Sequence, residues 1–88
     1  MKQSIIKRLR AAGLNPKEFD TDASKSLLGR EVAYAQGTPE TVRTALVTGG
    51  FGAEPEQHGT ALFVRSPETG RSFRIDRSEV IAAKKVKP

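Results

Sequence analysis

Cysteine and tryptophan are absent, and the 88 residues hold one histidine, one methionine and one tyrosine. Without thiols there is no disulfide framework, no thiolate metal site and no cysteine nucleophile. The lone histidine, His58, sits in a polar turn beside Gly59, with nothing nearby to complete a metal site or a base–nucleophile pair. Glu54 and Glu56 fall in a Gly/Pro-rich stretch, where burial would not tune a carboxyl for acid–base work. Neither an enzymatic activity nor a cofactor is therefore expected. No run approaches the ~18 apolar residues of a membrane span. The opening MKQSIIKRLR lacks the apolar stretch of a signal peptide. A cytoplasmic protein that does not enter a membrane is expected. Apolar residues make up 36% of the chain, enough for one small, thrifty core.

Positive charge is plentiful. The net charge is +5, and its sign varies along the chain. Residues 1–18 carry five bases against Glu18, residues 19–62 three bases against six acids, and residues 63–88 seven bases against three acids. Basic ends around an acidic middle favour a polyanionic partner, because neutralising phosphates releases counterions.

Hydrophobic spacing divides the chain into a helical segment with its connection (1–28), a β-rich body (29–83) and a basic tail (84–88). Ile5, Ile6, Leu9 and Ala12 share one helical stripe, with Gln3, Lys7 and Arg10 opposite. Gly13 suits a left-handed stop, and Leu14 can fold back on the last turn. Asn15-Pro16-Lys17-Glu18 reads as a fresh capped turn ending near a core-anchoring Phe19. Residues 20–28 read as an irregular loop or a short helix. Alternation and β-branched content then predict strands over 30–35, 40–48, 60–65, 71–75 and 80–83. Gly37-Thr38-Pro39, a mobile Gly49–Gly59 connection, Ser66–Gly70 and the tight turn Asp76–Glu79 separate them. The tail Lys84–Pro88 is expected to be disordered.

Five short strands with turns every 8–12 residues predict a small barrel or sandwich. Residues 29–83 resemble the SH3-like small-barrel superfamily, which includes the KOW- and Tudor-type domains. The likeness rests on a Gly-led first strand (Gly29 to Tyr34) and a long second strand entering a Gly-rich loop (Val42 to Gly52). A Pro/Thr-Gly hairpin (Leu62 to Ile75) and a one-turn helix before a last strand (Asp76 to Ile81) complete it. It implies a five-stranded barrel, capped at its open end by the N-terminal helix, that serves as a binding scaffold. The aromatics Tyr34, Phe51, Phe63 and Phe73 are too few to fill both a core and a Tudor-type cage.

Three sets of residues are candidates for contact. Phe51, between Gly50 and Gly52, either stacks on a partner from a flexible loop or tucks inward to cap the core; the inward placement is preferred. Arg65, Arg71 and Arg74 of the last hairpin are expected to form one cationic patch, with Arg43 of the second strand added. Lys7 and Arg10 lie on the exposed side of the helix, whose short apolar stripe suits docking better than membrane anchoring. The expected function is a monomeric accessory module of prokaryotic or phage kind, contacting nucleic acid or a nucleic-acid-processing complex through these residues. The alternative is an adaptor or inhibitor that docks on a larger protein, using Glu40, Glu54 and Glu56 as well. A third reading is self-association through the edge of strand 30–35.

Overall fold

The computed structural model describes residues 2–21, 25–56 and 58–85. Helix α1 spans Gln3–Ala11. It stops as Gly13 and Leu14 predict. Gly13 takes φ +79°, its N–H donates to Arg10 O at 3.0 Å, and Leu14 N–H donates to Leu9 O at 2.9 Å, the paired bonds of a Schellman stop. Asn15 then caps a 3-10 turn, Pro16–Glu18, its side-chain oxygen accepting from Lys17 N at 3.1 Å.

The strands are β1 (Phe19–Asp20), β2 (Glu31–Gln36), β3 (Thr41–Gly49), β4 (Ala61–Arg65), β5 (Ser72–Asp76) and β6 (Val80–Lys84). They form one antiparallel sheet in the order β1-β6-β2-β3-β4-β5. The result is a mostly β fold with one N-terminal helix. Its sheet has six strands rather than the expected five and does not close, since β1 and β5 form its two ends. The added strand is β1, where Phe19 and Asp20 pair with Lys84 and Ala83. β2, read from sequence as a free edge, is central and paired on both sides.

Alternation along the strands splits their side chains between two faces. Val32 and Tyr34 of β2, Ala45 and Val47 of β3, Leu62 and Val64 of β4, and Ile75 of β5 pack together as the main core. Ala33 of β2 and Ala82 of β6 point the other way, into a second cluster with Leu9 and Phe19. Helix α1 therefore lies on the outer face of β2 and β6, across the sheet from the main core, and not over an open barrel end as expected. Alanines at the contact explain the placement, because a small side chain lets a helix approach the sheet closely.

One arginine is structural. Arg30 is 7% exposed. Its Nε and Nη2 donate to Lys84 O at 2.9 and 2.8 Å, and Nη2 also reaches Asp20 Oδ1 at 3.2 Å. Lys85 N donates to Glu18 O at 2.7 Å. The start of the expected disordered tail is thus tied into the fold, and its residues 86–88 lie outside the described residues, as do residues 22–24 of the 20–28 connection. Between β5 and β6, the 3-10 turn Arg77–Glu79 carries a capping box. Ser78 N donates to Asp76 Oδ1 at 2.9 Å, and Asp76 N donates to Glu79 Oε1 at 2.8 Å. Among the described residues, no helix is long and apolar enough to cross a membrane.

Candidate binding faces

The helix covers the outer face of the sheet only over β6, β2 and the start of β3. Beyond it that face is open. On β3 it presents Leu46 and Thr48, on β4 Phe63 and Arg65, and on β5 Ser72 and Arg74. The register sets their neighbours: Leu46 lies opposite Arg65, Phe63 opposite Arg74, and Arg65 opposite Ser72. Phe63 is 52% exposed and Leu46 41%. Period-two alternation through Ala61–Arg65 is the cause. Leu62 and Val64 are fully buried, so Phe63 between them must face water. Gly49, opposite Phe63 at a bulge, supplies no side chain to cover the ring.

Arg65 and Arg74 are exposed and form no ion pair among the described residues. Arg65 Nε donates to Gly70 O at 3.2 Å, which steadies the guanidinium over the hairpin turn and leaves its other N–H groups available. The nearby carboxyl of Asp76 is already engaged by Ser78 N and by Thr60 Oγ1 at 3.0 Å. The Ser78 backbone bond, helped by the Ser78 and Thr60 side chains and the charge of Arg74, holds the Asp76 carboxyl below its usual range.

Phe51 overturns the preference for an inward placement, for it is 68% exposed. The Gly50–Ala53 part of the connection is packed against the fold. Phe51–Ala53 form a 3-10 turn with Gly52 and Ala53 buried. Ala53 O accepts from Leu27 N at 2.7 Å, and Gly52 O accepts from Arg77 Nη1. Gly50 and Gly52 lie flat against the backbone of Thr60 and Ala61, and the stem of Phe51 rests on Gly59. The turn is held while the ring is presented to solvent.

Arg71 separates from the other hairpin arginines. It lines a groove of about 700 Å³ with Arg43, Tyr34, Gln36, Phe73 and Glu68. Tyr34 and Phe73 form its aromatic side, with ring centroids 5.9 Å apart at 55°. Burial pushes the Tyr34 phenol up, while the charge of Arg43 draws it down and Glu79 adds to the rise. Arg71 and Arg43 form no ion pair among the described residues.

Lys7 and Arg10 are exposed on α1. Arg10 lines a separate groove of about 620 Å³ with Pro16, Lys17 and Lys85. Folding thus sorts the candidate arginines into three places: Arg65 with Arg74 on the open face, Arg43 with Arg71 in one groove, and Arg10 with Lys17 and Lys85 in another. The single hairpin patch expected from sequence is divided.

Arg8 is bound bidentately by Glu40, with Nε–Oε2 at 2.9 Å, and Glu54 accepts from Ser26 Oγ at 2.6 Å. The acidic middle is therefore partly consumed internally, and Glu56 remains exposed. Phe63 and Leu46 were the residues to add to the candidates, and alternation within TALFVR carried the signal for Phe63. Comparison with protein-family models, curated proteins and solved structures finds no match to this chain.

Proposed function

We propose that this chain is a small non-enzymatic module that binds single-stranded nucleic acid across the open face of β3–β5. The observation that carries the reading is a half-exposed aromatic, Phe63, with Arg74 across from it and Arg65 two residues along the same strand. A ring in that position stacks on a base, worth about 1–3 kcal/mol, and flanking guanidinium groups take the phosphates on either side. Phe51, exposed on the turn that follows β3, offers a second ring. No base edge is read by this arrangement, so sequence preference is weak.

The scaffold is read as a small barrel of the SH3-like kind. The succession β6-β2-β3-β4-β5 and the 3-10 turn before β6 support it, and β1 is then an addition at one end.

Titration of a short labelled single strand at several salt concentrations tests the function. With about two to three phosphates contacted, log K falls with log salt at a slope of roughly −1.4 to −2. Arg65→Glu and Arg74→Glu each abolish binding at moderate salt, and Phe63→Ala weakens it about tenfold. Binding indifferent to salt, or undiminished by Arg74→Glu, would overturn the proposal.

A second reading is a protein-docking adaptor, favoured by Leu28, Leu46, Phe51 and Phe63, the large exposed apolar side chains. A partner captured from a nuclease-treated lysate, lost with Phe63→Ala and kept with Arg74→Glu, would favour that reading.

A further inference from the structure

We propose that the groove between the β2–β3 and β4–β5 turns is a phosphomonoester site, with Arg43 and Arg71 as its cationic clamp and the Tyr34 hydroxyl as a third donor. This site is separate from the open face and does not depend on its binding a strand.

The groove is polar and about 700 Å³, within the range of small-ligand sites. Its two arginines come from different hairpins: Arg43 of β3 stands opposite Tyr34 of β2, and Arg71 immediately precedes β5. Neither guanidinium is neutralised by a carboxylate among the described residues. Tyr34 is 6% exposed and lines the same groove, and no hydrogen bond to its hydroxyl occurs among the described residues. Arg43 stands directly opposite Tyr34 in the β2–β3 register; its charge draws that phenol down, while Glu79 raises it. A phenol is protonated at neutral pH, and burial pushes this one further up, so it enters the site as a donor.

Charge and donor number together point to the ligand. Two guanidinium groups carry two positive charges, which a phosphomonoester nearly cancels at neutral pH, its second pKa lying near 6. A single carboxylate leaves one charge over. Three donors from separate residues also match the three terminal oxygens of a phosphoryl group better than the two of a carboxylate. The aromatic side formed by Tyr34 and Phe73 offers a flat apolar surface for whatever bears the phosphate. Glu68, which lines the same groove, and Glu79, which acts on the Tyr34 phenol, oppose any anion, so the match of three donors to three oxygens weighs more than net charge. The same chemistry has two sources, a free nucleotide or the terminal phosphate of a strand.

The test is an NMR titration of the full chain with inorganic phosphate, a nucleoside monophosphate, acetate, and short oligonucleotides with and without a 5′-phosphate, all at one ionic strength. Phosphate and the monophosphate should shift the Arg43, Arg71 and Tyr34 signals, and acetate should act at least about tenfold more weakly. Arg43→Gln and Arg71→Gln should each weaken phosphate binding about tenfold. Tyr34→Phe, which keeps the ring in the core, should weaken it severalfold, and Glu68→Gln should strengthen it. Arg74→Gln on the open face is the control and should leave affinity for inorganic phosphate and the monophosphate unchanged, whatever it does to the oligonucleotides. A gain in affinity on 5′-phosphorylating the oligonucleotide assigns the site to strand ends, and no gain assigns it to free nucleotides. The proposal fails if acetate matches phosphate, if no shift maps to the groove, or if Arg74→Gln weakens phosphate as much as Arg71→Gln.

Discussion

At the scale of single residues, the loop before β4 depends on missing side chains. A Cβ placed on Gly52 would lie 2.6 Å from Thr60 O, and backbone cannot swing aside as a side-chain tip can. Gly52→Ala should cost about 1–3 kcal/mol in a urea melt. Gly49→Ala, whose nearest neighbour is Phe63 Cδ2 at 4.0 Å, should stay close to the parent. Arg30 is the opposite case, a residue kept for what it holds. Arg30→Met leaves Lys84 O without its donors, and the expected loss is about 3 kcal/mol. Two groups shape the pH response. Asp76 is held below the usual carboxylate range, so its contribution is complete above about pH 4 and fades as pH falls through the folded value. Tyr34 is raised, so its contribution is complete below about pH 10 and is lost as pH climbs through the folded value. Thermal melts across pH should show both limbs, with Asp76→Asn flattening the acid one and Tyr34→Phe the alkaline one.

At the scale of elements, what is local in the sequence was legible. Alternation and β-branched content together found the described strands of more than two residues, and the Gly13–Leu14 stop, the Asn15 cap and the Asp76–Glu79 turn are formed by neighbouring groups. β1 was not legible, because two residues, Phe19 and Asp20, become a strand only by pairing with Ala83 and Lys84. The side of the sheet chosen by α1 was likewise hidden. An apolar stripe on a helix says that it docks and not where. The clue lay elsewhere, in Ala33 and Ala82, small residues at outward positions. Leu9, fully buried between helix and sheet, should therefore cost about 2–4 kcal/mol as Leu9→Ala. Ala33→Leu should lift the helix while leaving the sheet formed. Hydrogen exchange would show the loss of protection confined to residues 3–11.

At the scale of the molecule, positive charge was legible as an excess but not as an arrangement. Whether Arg71 joins Arg65 and Arg74 depends on which side of the β4–β5 hairpin each one faces, and Arg71 parts from Arg74 because the two stand three positions apart, an odd step along an extended chain. Phe51 could not be placed from sequence, since glycines beside an aromatic suit both a tucked and a presented ring, and close packing on Thr60 and Ala61 decides between them. Because Arg65 with Arg74 and Arg43 with Arg71 occupy different surfaces, their losses should be separable. Arg74→Glu should remove binding of an unphosphorylated single strand and leave phosphate affinity intact, and Arg71→Glu should do the reverse, as paired calorimetric titrations would record.

The grip of Arg30 on Lys84 also fixes where the protein becomes vulnerable to trimming. Exopeptidase digestion that reaches β6 should meet a threshold there. Removal of Lys84 then strips the buried guanidinium of its acceptor and β1 of a pairing partner in one cut. Degradation past that point should be abrupt, with a fragment ending at Lys84 or Lys85 as the last stable species.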